Sequence, residues 1–374
     1  MAGIYIHIPF CRSKCSYCNF YSTVSSRYVD DFIPALINEI RLQKDYLNNE
    51  KIETIYIGGG TPSVLNEKQL MNIFDELFKT FIIATHPEIT IEVNPNDINK
   101  NKINEFQKTP INRISIGIQS FFEEDLKYLK RIHTVSQAEY AVKYCQDAGY
   151  QNISIDLIYG IPTLSDDNWK KNLETSFLIE VPHISAYGLT VENNTALETL
   201  IRKGNAIPLD ENLIAVQFKI LMNEMSANDF IHYEISNFCK DGFMSKHNSN
   251  YWKGIKYIGL GPSAHSYDQK SRQWNTSDIS LYLNDIEKGK IPAEKEILNI
   301  TDKYNEYVMT SMRTSWGCNL AYIKNTFGEL YLEKFLSGIQ THMQSGFAAN
   351  IKENIVLTDN GKLFADGIAS DIFV

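Results

Sequence analysis

The sequence predicts an α/β fold, a sheet of parallel strands alternating with helices, followed by a smaller C-terminal α+β module. Three observations predict it. Short β-branched runs alternate with amphipathic stretches from the start to about residue 225, most of those runs end in glycine or a polar residue, and beyond about residue 300 the pattern changes to helices and a short strand pair. Strands alternating with helices pair in parallel through right-handed crossovers. Six such units form an open doubly wound sheet or a barrel that is not fully closed. The polar strand ends favour the barrel, whose C-terminal strand ends carry the site.

The strand candidates are residues 3–9 (GIYIHIP), 54–60 (TIYIGGG), 89–95 (ITIEVNP), 113–120 (RISIGIQS), 153–160 (ISIDLIYG) and 183–190 (HISAYGLT). Between them, Val29, Phe32, Ile33, Leu36, Ile37 and Ile40 form one helical stripe, in which Pro34 starts or kinks the helix. Leu70, Ile73, Phe74, Leu77, Phe78 and Phe81 form a second. Ala138, Ala141, Val142, Cys145 and Ala148 form a third, capped by Gly149, which places Cys145 in a core. After about residue 230 the chain is rich in aromatics, His and Gly. A linker is expected at EKGKIPAEKE (287–296), then helices from residue 301 and a hairpin at IVLTDNGKLFAD (355–366) turning at Asn360-Gly361. Helices followed by a small hairpin read as a winged-helix-like module. The expected division is residues 1–225 for the barrel, 226–287 for its extension and 295–374 for the C-terminal module.

The totals narrow the function. The chain has 374 residues, enough for two cores, and a formal charge of −9, which argues against a general phosphate-binding surface and hence against nucleic acid. The start, MAGIYIHIPF, lacks the features of a signal peptide, and no run approaches the roughly 20 apolar residues of a membrane span. A cytoplasmic protein without stable membrane insertion is expected, with weak peripheral association left open. Of the six cysteines only Cys11, Cys15 and Cys18 cluster, which suits a metal site better than a disulfide framework.

Those three have the spacing C-x3-C-x2-C directly after the first strand. Cysteine sulfur ligates both structural zinc and iron–sulfur clusters. A zinc site is normally closed by four protein ligands, and His7 on the preceding strand offers a Cys3His alternative. A four-iron (4Fe-4S) cluster held by three cysteines leaves one iron with an open position for a small molecule. The glycines of GGGTPS (58–63) let backbone groups approach a ligand closely, although a plain tight turn would look the same.

On these motifs the chain resembles the radical S-adenosylmethionine superfamily. The resemblance implies a TIM-like partial (β/α)6 barrel and a 4Fe-4S cluster on Cys11, Cys15 and Cys18 whose open iron is chelated by S-adenosylmethionine, the source of a 5′-deoxyadenosyl radical. YIHIPFC, GGGTPS, EVNP, GIQSF, RIHT and DLIYGIP occur in the order of the oxygen-independent coproporphyrinogen III oxidases and their relatives, over nearly the whole chain. That likeness implies an S-adenosylmethionine site lined by Tyr5, Tyr17, Gly59, Gly60, Thr61, Glu92, Gln119, Arg131, Asp156 and Gly188. Glu92 and Asp156 suit an amine or ribose and Arg131 a carboxylate.

Two departures separate the chain from the oxidases. Where they carry a fourth cysteine this chain has Phe20, and its first strand begins at Gly3 rather than after a long N-terminal segment. Both resemble the heme chaperones of the HemW type. HNSNYW (247–252) is similar to the HNxxYW motif associated with heme in that group, implying heme contacts by His247, Asn248, Tyr251 and Trp252, with His247 first. A packed core histidine is the alternative for His247, and His265 and His232 are weaker candidates. The expected function is binding heme and passing it to an acceptor protein. The rivals are an anaerobic coproporphyrinogen III oxidase or another radical enzyme on a tetrapyrrole, and a zinc-bearing interaction module.

Overall fold

A computed structural model describes the backbone of residues 1–374 and the side chains of all but Ser26. Six parallel strands follow one another in the sheet in chain order: β1 (Ala2–Ile8), β2 (Ile52–Gly59), β3 (Ile83–Val93), β4 (Arg113–Gln119), β5 (Asn152–Tyr159) and β6 (His183–Gly188). Beyond β6 lie β7 (Ile231–Glu234) and β8 (Asn237–Cys239), antiparallel. On the other side β9 (Lys256–Leu260) runs parallel to β1. It is followed by antiparallel β10 (His265–Tyr267), β11 (Ser271–Asn275) and β12 (Ala293–Ile297). The two edges of this twelve-stranded sheet are β12 and β7, so the barrel stays open.

The period-two alternation of the strands makes the barrel. Register aligns Ile6, Ile57 and Ile91 in one row, continued by Ile114 and Ile153. All five are essentially fully buried in the large apolar core shared with the helices. The alternate positions are polar: Tyr5 pairs with Tyr56, Glu92 with Ser115, Asp156 with Ser185. Such a sheet has an apolar face and a polar face. The helices Val29–Leu42, Glu67–Thr80 and Val135–Asp147 fall where the stripes place them. Pro34 sits inside the first, Phe78 remains exposed, Cys145 is buried, and Gly149 follows the third at φ +88°.

Residues beyond about 300 build a second core around Tyr304, Val308, Ile323, Phe335 and Ile355. Its order is a helix (Ile300–Met312), β13 (Cys318–Asn319), two helices (Leu320–Phe327 and Glu329–Gln344), and β14 (Ala348–Ile351) paired with β15 (Asn354–Leu357). The hairpin is therefore displaced from its expected position. It turns at Lys352 and Glu353, both at positive φ, whereas Asn360-Gly361 lies in a helical turn capped by the Thr358 hydroxyl. A Cβ on Gly361 would meet the Phe347 carbonyl at 1.9 Å, so close backbone packing, not hairpin geometry, requires that glycine. The expected linker also changes: residues 293–297 form β12, an edge strand whose exposed Glu294, Lys295 and Glu296 discourage further pairing.

Candidate functional site

The cysteine loop leaves β1 and is tied down by backbone bonds. Cys11 N–H donates to the Thr23 carbonyl (2.9 Å), Ser16 N–H to that of Leu129 (3.2 Å), and Leu197 N–H to that of Ser16 (2.7 Å). Two of the three thiols accept hydrogen bonds: Cys11 Sγ from Thr61 Oγ1 at 3.5 Å and Cys15 Sγ from Arg131 Nη1 at 3.3 Å. Burial pushes the Cys18 thiol pKa up, the Phe20 N–H works against this, and the nearby Cys15 and Cys11 add to the rise. Among the described residues no three or more His, Cys, Asp or Glu side chains are gathered in metal-ligating geometry. His7 does not complete a zinc site, because its Nδ1 lies 3.1 Å from the Tyr5 hydroxyl and its Nε2 2.8 Å from the Tyr21 carbonyl. Three thiols on one loop, two of them receiving hydrogen bonds, are a donor set of the kind that ligates iron–sulfur clusters.

Beside the loop, at the C-terminal strand ends, lies a cavity of about 390 Å³. Tyr17, Gly59, Gly60, Thr61, Glu92, Gln119, Arg131, Asp156 and Gly188 line it, with Cys18 and Phe20 at the loop side. Phe20 is 65% exposed. Tyr5 does not reach the wall; it stacks on Tyr56 and bonds His7 within the barrel.

The glycine run is explained by what surrounds it. Gly59 has φ +105°, and a Cβ there would lie 2.6 Å from the His7 ring. Gly60 crosses the chain entering the cysteine loop: its N–H bonds the Ile8 carbonyl and that of Thr61 bonds the Phe10 carbonyl, both at 2.8 Å. A Cβ on Gly60 would come within 2.7 Å of the Phe10 oxygen. Gln119 occupies φ +71° beside a register shift between β4 and β5, which turns its side chain at the cavity wall.

Two carboxylates set the electrostatics. Burial pushes Glu92 up to about 7, opposed by the Tyr56 hydrogen bond and reinforced by Asp156. Burial pushes Asp156 up to about 6, opposed by buried Arg113. Both carboxylates would gain from a cationic ligand. Asn94 joins the elements, donating to Thr61 Oγ1 at 3.0 Å and accepting from Arg131 Nη2 at 2.7 Å. Asn94, Ser115, Tyr187 and the supporting Tyr56 were not among the expected site residues. Their signal was the polar position at every second residue of the strands.

The HNSNYW segment forms the helix Lys246–Trp252 at the other end of the barrel interior. The Glu88 carboxylate accepts from the N–H groups of Lys246 (3.1 Å) and His247 (2.9 Å), and the Ser245 hydroxyl from that of Asn248 (3.3 Å). His247 is buried; Nδ1 lies 2.8 Å from Thr54 Oγ1 and Nε2 2.9 Å from the Tyr251 hydroxyl, and its ring stacks on Tyr56. Burial lowers its pKa to about 3. An imidazole engaged at both nitrogens presents no free lone pair. Tyr251 and Trp252 instead line a second cavity, of about 960 Å³. His265 is exposed beside Trp274, and His232 packs on Phe238.

Residues 5–175 match the Radical SAM superfamily model. The chain is 36% identical over 371 residues to the heme chaperone HemW of Escherichia coli K12, covering 98% of this chain and 96% of that protein. It is 30% identical over 371 residues to the heme chaperone HemW of Bacillus subtilis, covering 98% of each. Among solved structures, the coproporphyrinogen III oxidase HemN of Escherichia coli superposes with a TM-score of 0.86 at 19% identity, over 100% of this chain and 90% of that one, a likeness of fold. No helix is long and apolar enough to cross a membrane among the described residues.

Proposed function

The chain belongs to the HemW family of the radical S-adenosylmethionine superfamily, and from that premise we propose that it is a heme chaperone, binding heme and passing it to an acceptor protein. The observation that carries this reading is the pairing of Phe20 at the cofactor mouth with an intact HNSNYW helix whose Tyr251 and Trp252 face a large cavity. Cys11, Cys15 and Cys18 would hold a 4Fe-4S cluster, and the adjoining cavity would take S-adenosylmethionine; together these supply one-electron chemistry when bound. Glu92 and Asp156 would meet the cationic end of that ligand, Arg131 its carboxylate, and the Gly59–Gly60 backbone its amino group. The Asn248 N–H is held by the Ser245 cap of the HNSNYW helix, Tyr251 and Trp252 contact heme, and His247 acts from behind by holding the Tyr251 hydroxyl. The C-terminal module, with its helix–strand–helix–helix–hairpin order, is winged-helix-like in this reading.

Titration of the purified protein with hemin, followed by mixing with an apo-acceptor, tests the proposal: uptake and onward transfer are expected, and failure to bind hemin would sink it. The complete cysteine loop and cofactor cavity favour one rival, anaerobic oxidation of coproporphyrinogen III, which steady product formation would establish.

A further inference from the structure

The second cavity lies where the barrel extension meets the C-terminal module. At about 960 Å³ it is at the upper end of the range for cofactor-sized sites, roughly 300–1,000 Å³. The extension contributes Tyr251 and Trp252 of the HNSNYW helix and Tyr257 of β9; the C-terminal module contributes Tyr307, Trp316 and Tyr322. Several of these rings already pack in pairs, Tyr251 edge-on to Tyr257 at 4.6 Å and Tyr307 against Tyr322 at 4.6 Å. The buried indole N–H of Trp252 has no hydrogen-bond partner. Flat aromatic walls of this kind favour a flat, extended ligand.

Its charge is opposite to that of the whole molecule. The chain carries −9, yet the lining holds Lys253, Lys303 and Arg272 against one carboxylate, Glu306. Glu306 is paired with Arg272, which also donates to the Tyr257 hydroxyl at 3.2 Å. Lys253 and Lys303 have no ion-pair partner among the described residues. Lys253 reaches across the junction to lie 5.4 Å from the Trp316 ring centre, so one cation sits beside walls from both modules. The lining thus combines aromatic faces with two lysines not engaged by acids. That is the complement of a planar macrocycle bearing two carboxylates.

We propose that this cavity is the tetrapyrrole site, the macrocycle resting on aromatic side chains from both modules and its carboxylates directed to Lys253 and Lys303. The inference rests on the heme-carrier reading and assigns its place, its carboxylate-recognising residues and a role for the C-terminal module as half of the site. No histidine lines the cavity among the described residues, so recognition comes from stacking and charge, with His247 as the positioning residue for Tyr251.

The test uses the full chain, with hemin and hemin dimethyl ester titrated by absorbance into wild type, the double variant Lys253→Glu/Lys303→Glu, and Tyr322→Ala, whose side chain is exposed. Thermal melts confirm that each variant folds. The double variant is expected to bind hemin at least about tenfold more weakly while binding the ester as wild type does, and Tyr322→Ala to weaken both ligands. Equal hemin affinity in wild type and the double variant would overturn the location and leave the carrier reading standing. Equal losses for hemin and ester in the double variant would also overturn it, because the lysines would then not be reading carboxylates. Wild type that binds neither ligand would defeat the carrier reading itself.

Discussion

Tyr56 donates its phenol hydrogen to Oε1 of Glu92 across 2.7 Å. Its ring also stacks on His247, centroids 5.1 Å apart, and His247 in turn holds the Tyr251 hydroxyl. One side chain on β2 therefore touches both the cofactor cavity and the support of the HNSNYW helix. Tyr56→Phe keeps the ring and strips Glu92 of a donor. S-adenosylmethionine affinity should fall about tenfold, the value of a hydrogen bond to a charged group, with hemin affinity little changed. Tyr56→Ala removes the ring as well and should weaken both, as read by calorimetry and absorbance.

Gly60→Ala should damage the cluster loop without touching a cysteine. The added Cβ meets backbone oxygens of Phe10 and Ile8 at 2.7 and 2.8 Å, which no rotamer change relieves. Iron and sulfide after anaerobic reconstitution should drop below about half of wild type, since the loop that presents Cys11 must shift. Gly367→Ala, with nothing within 4 Å of its Cβ, is the control and should load normally.

Cofactor binding should release a proton near neutral pH. Glu92 is pushed up to about 7 and Asp156 to about 6, burial first in both. A cationic ligand stabilises the ionised carboxylates. Affinity should therefore be full above about pH 7 and fall as pH drops through 7 and 6, by up to about tenfold per unit for each proton taken up. Calorimetry in two buffers of different ionisation enthalpy reads the released proton, and Glu92→Gln should reduce it.

Glu39 should be a stability residue. Fully buried on the helix Val29–Leu42, it accepts from Tyr282 Oη (2.7 Å), Gly261 N (2.7 Å), Asn275 Nδ2 (2.6 Å) and Gln43 Nε2 (2.8 Å), fastening the sheet extension to the barrel. Glu39→Ala leaves several buried donors unpaired and should cost about 3–5 kcal/mol in urea unfolding, more than Glu39→Gln, which keeps an acceptor.

The six strands and the three helical stripes were legible in the sequence because each is local: isoleucines at every second position, apolar residues at helical spacing. The cavity at the strand ends was legible through its motifs, since each contributes from one strand end. Tyr5 packs on Tyr56 inside the barrel and does not line this cavity, because a motif fixes which residue is present and not which way it turns. Asn360-Gly361 has the composition of a hairpin turn, but the capping hydroxyl of Thr358 and close packing on the Phe347 carbonyl, which lies outside the local pattern, make it a helical turn. The second cavity was invisible for a related reason. Its walls come from positions 251 to 354, and nothing in any one stretch announces that Lys253 and Trp316 meet.

The most direct test of the central claim is an anaerobic comparison on one reconstituted sample, measuring hemin uptake and transfer to an apo-acceptor alongside conversion of coproporphyrinogen III. The account predicts that hemin is bound and handed on while coproporphyrinogen III is left unchanged. Steady oxidation of coproporphyrinogen III with no stable hemin binding would contradict it, and would mean that three cysteines and Phe20 serve catalysis in this chain.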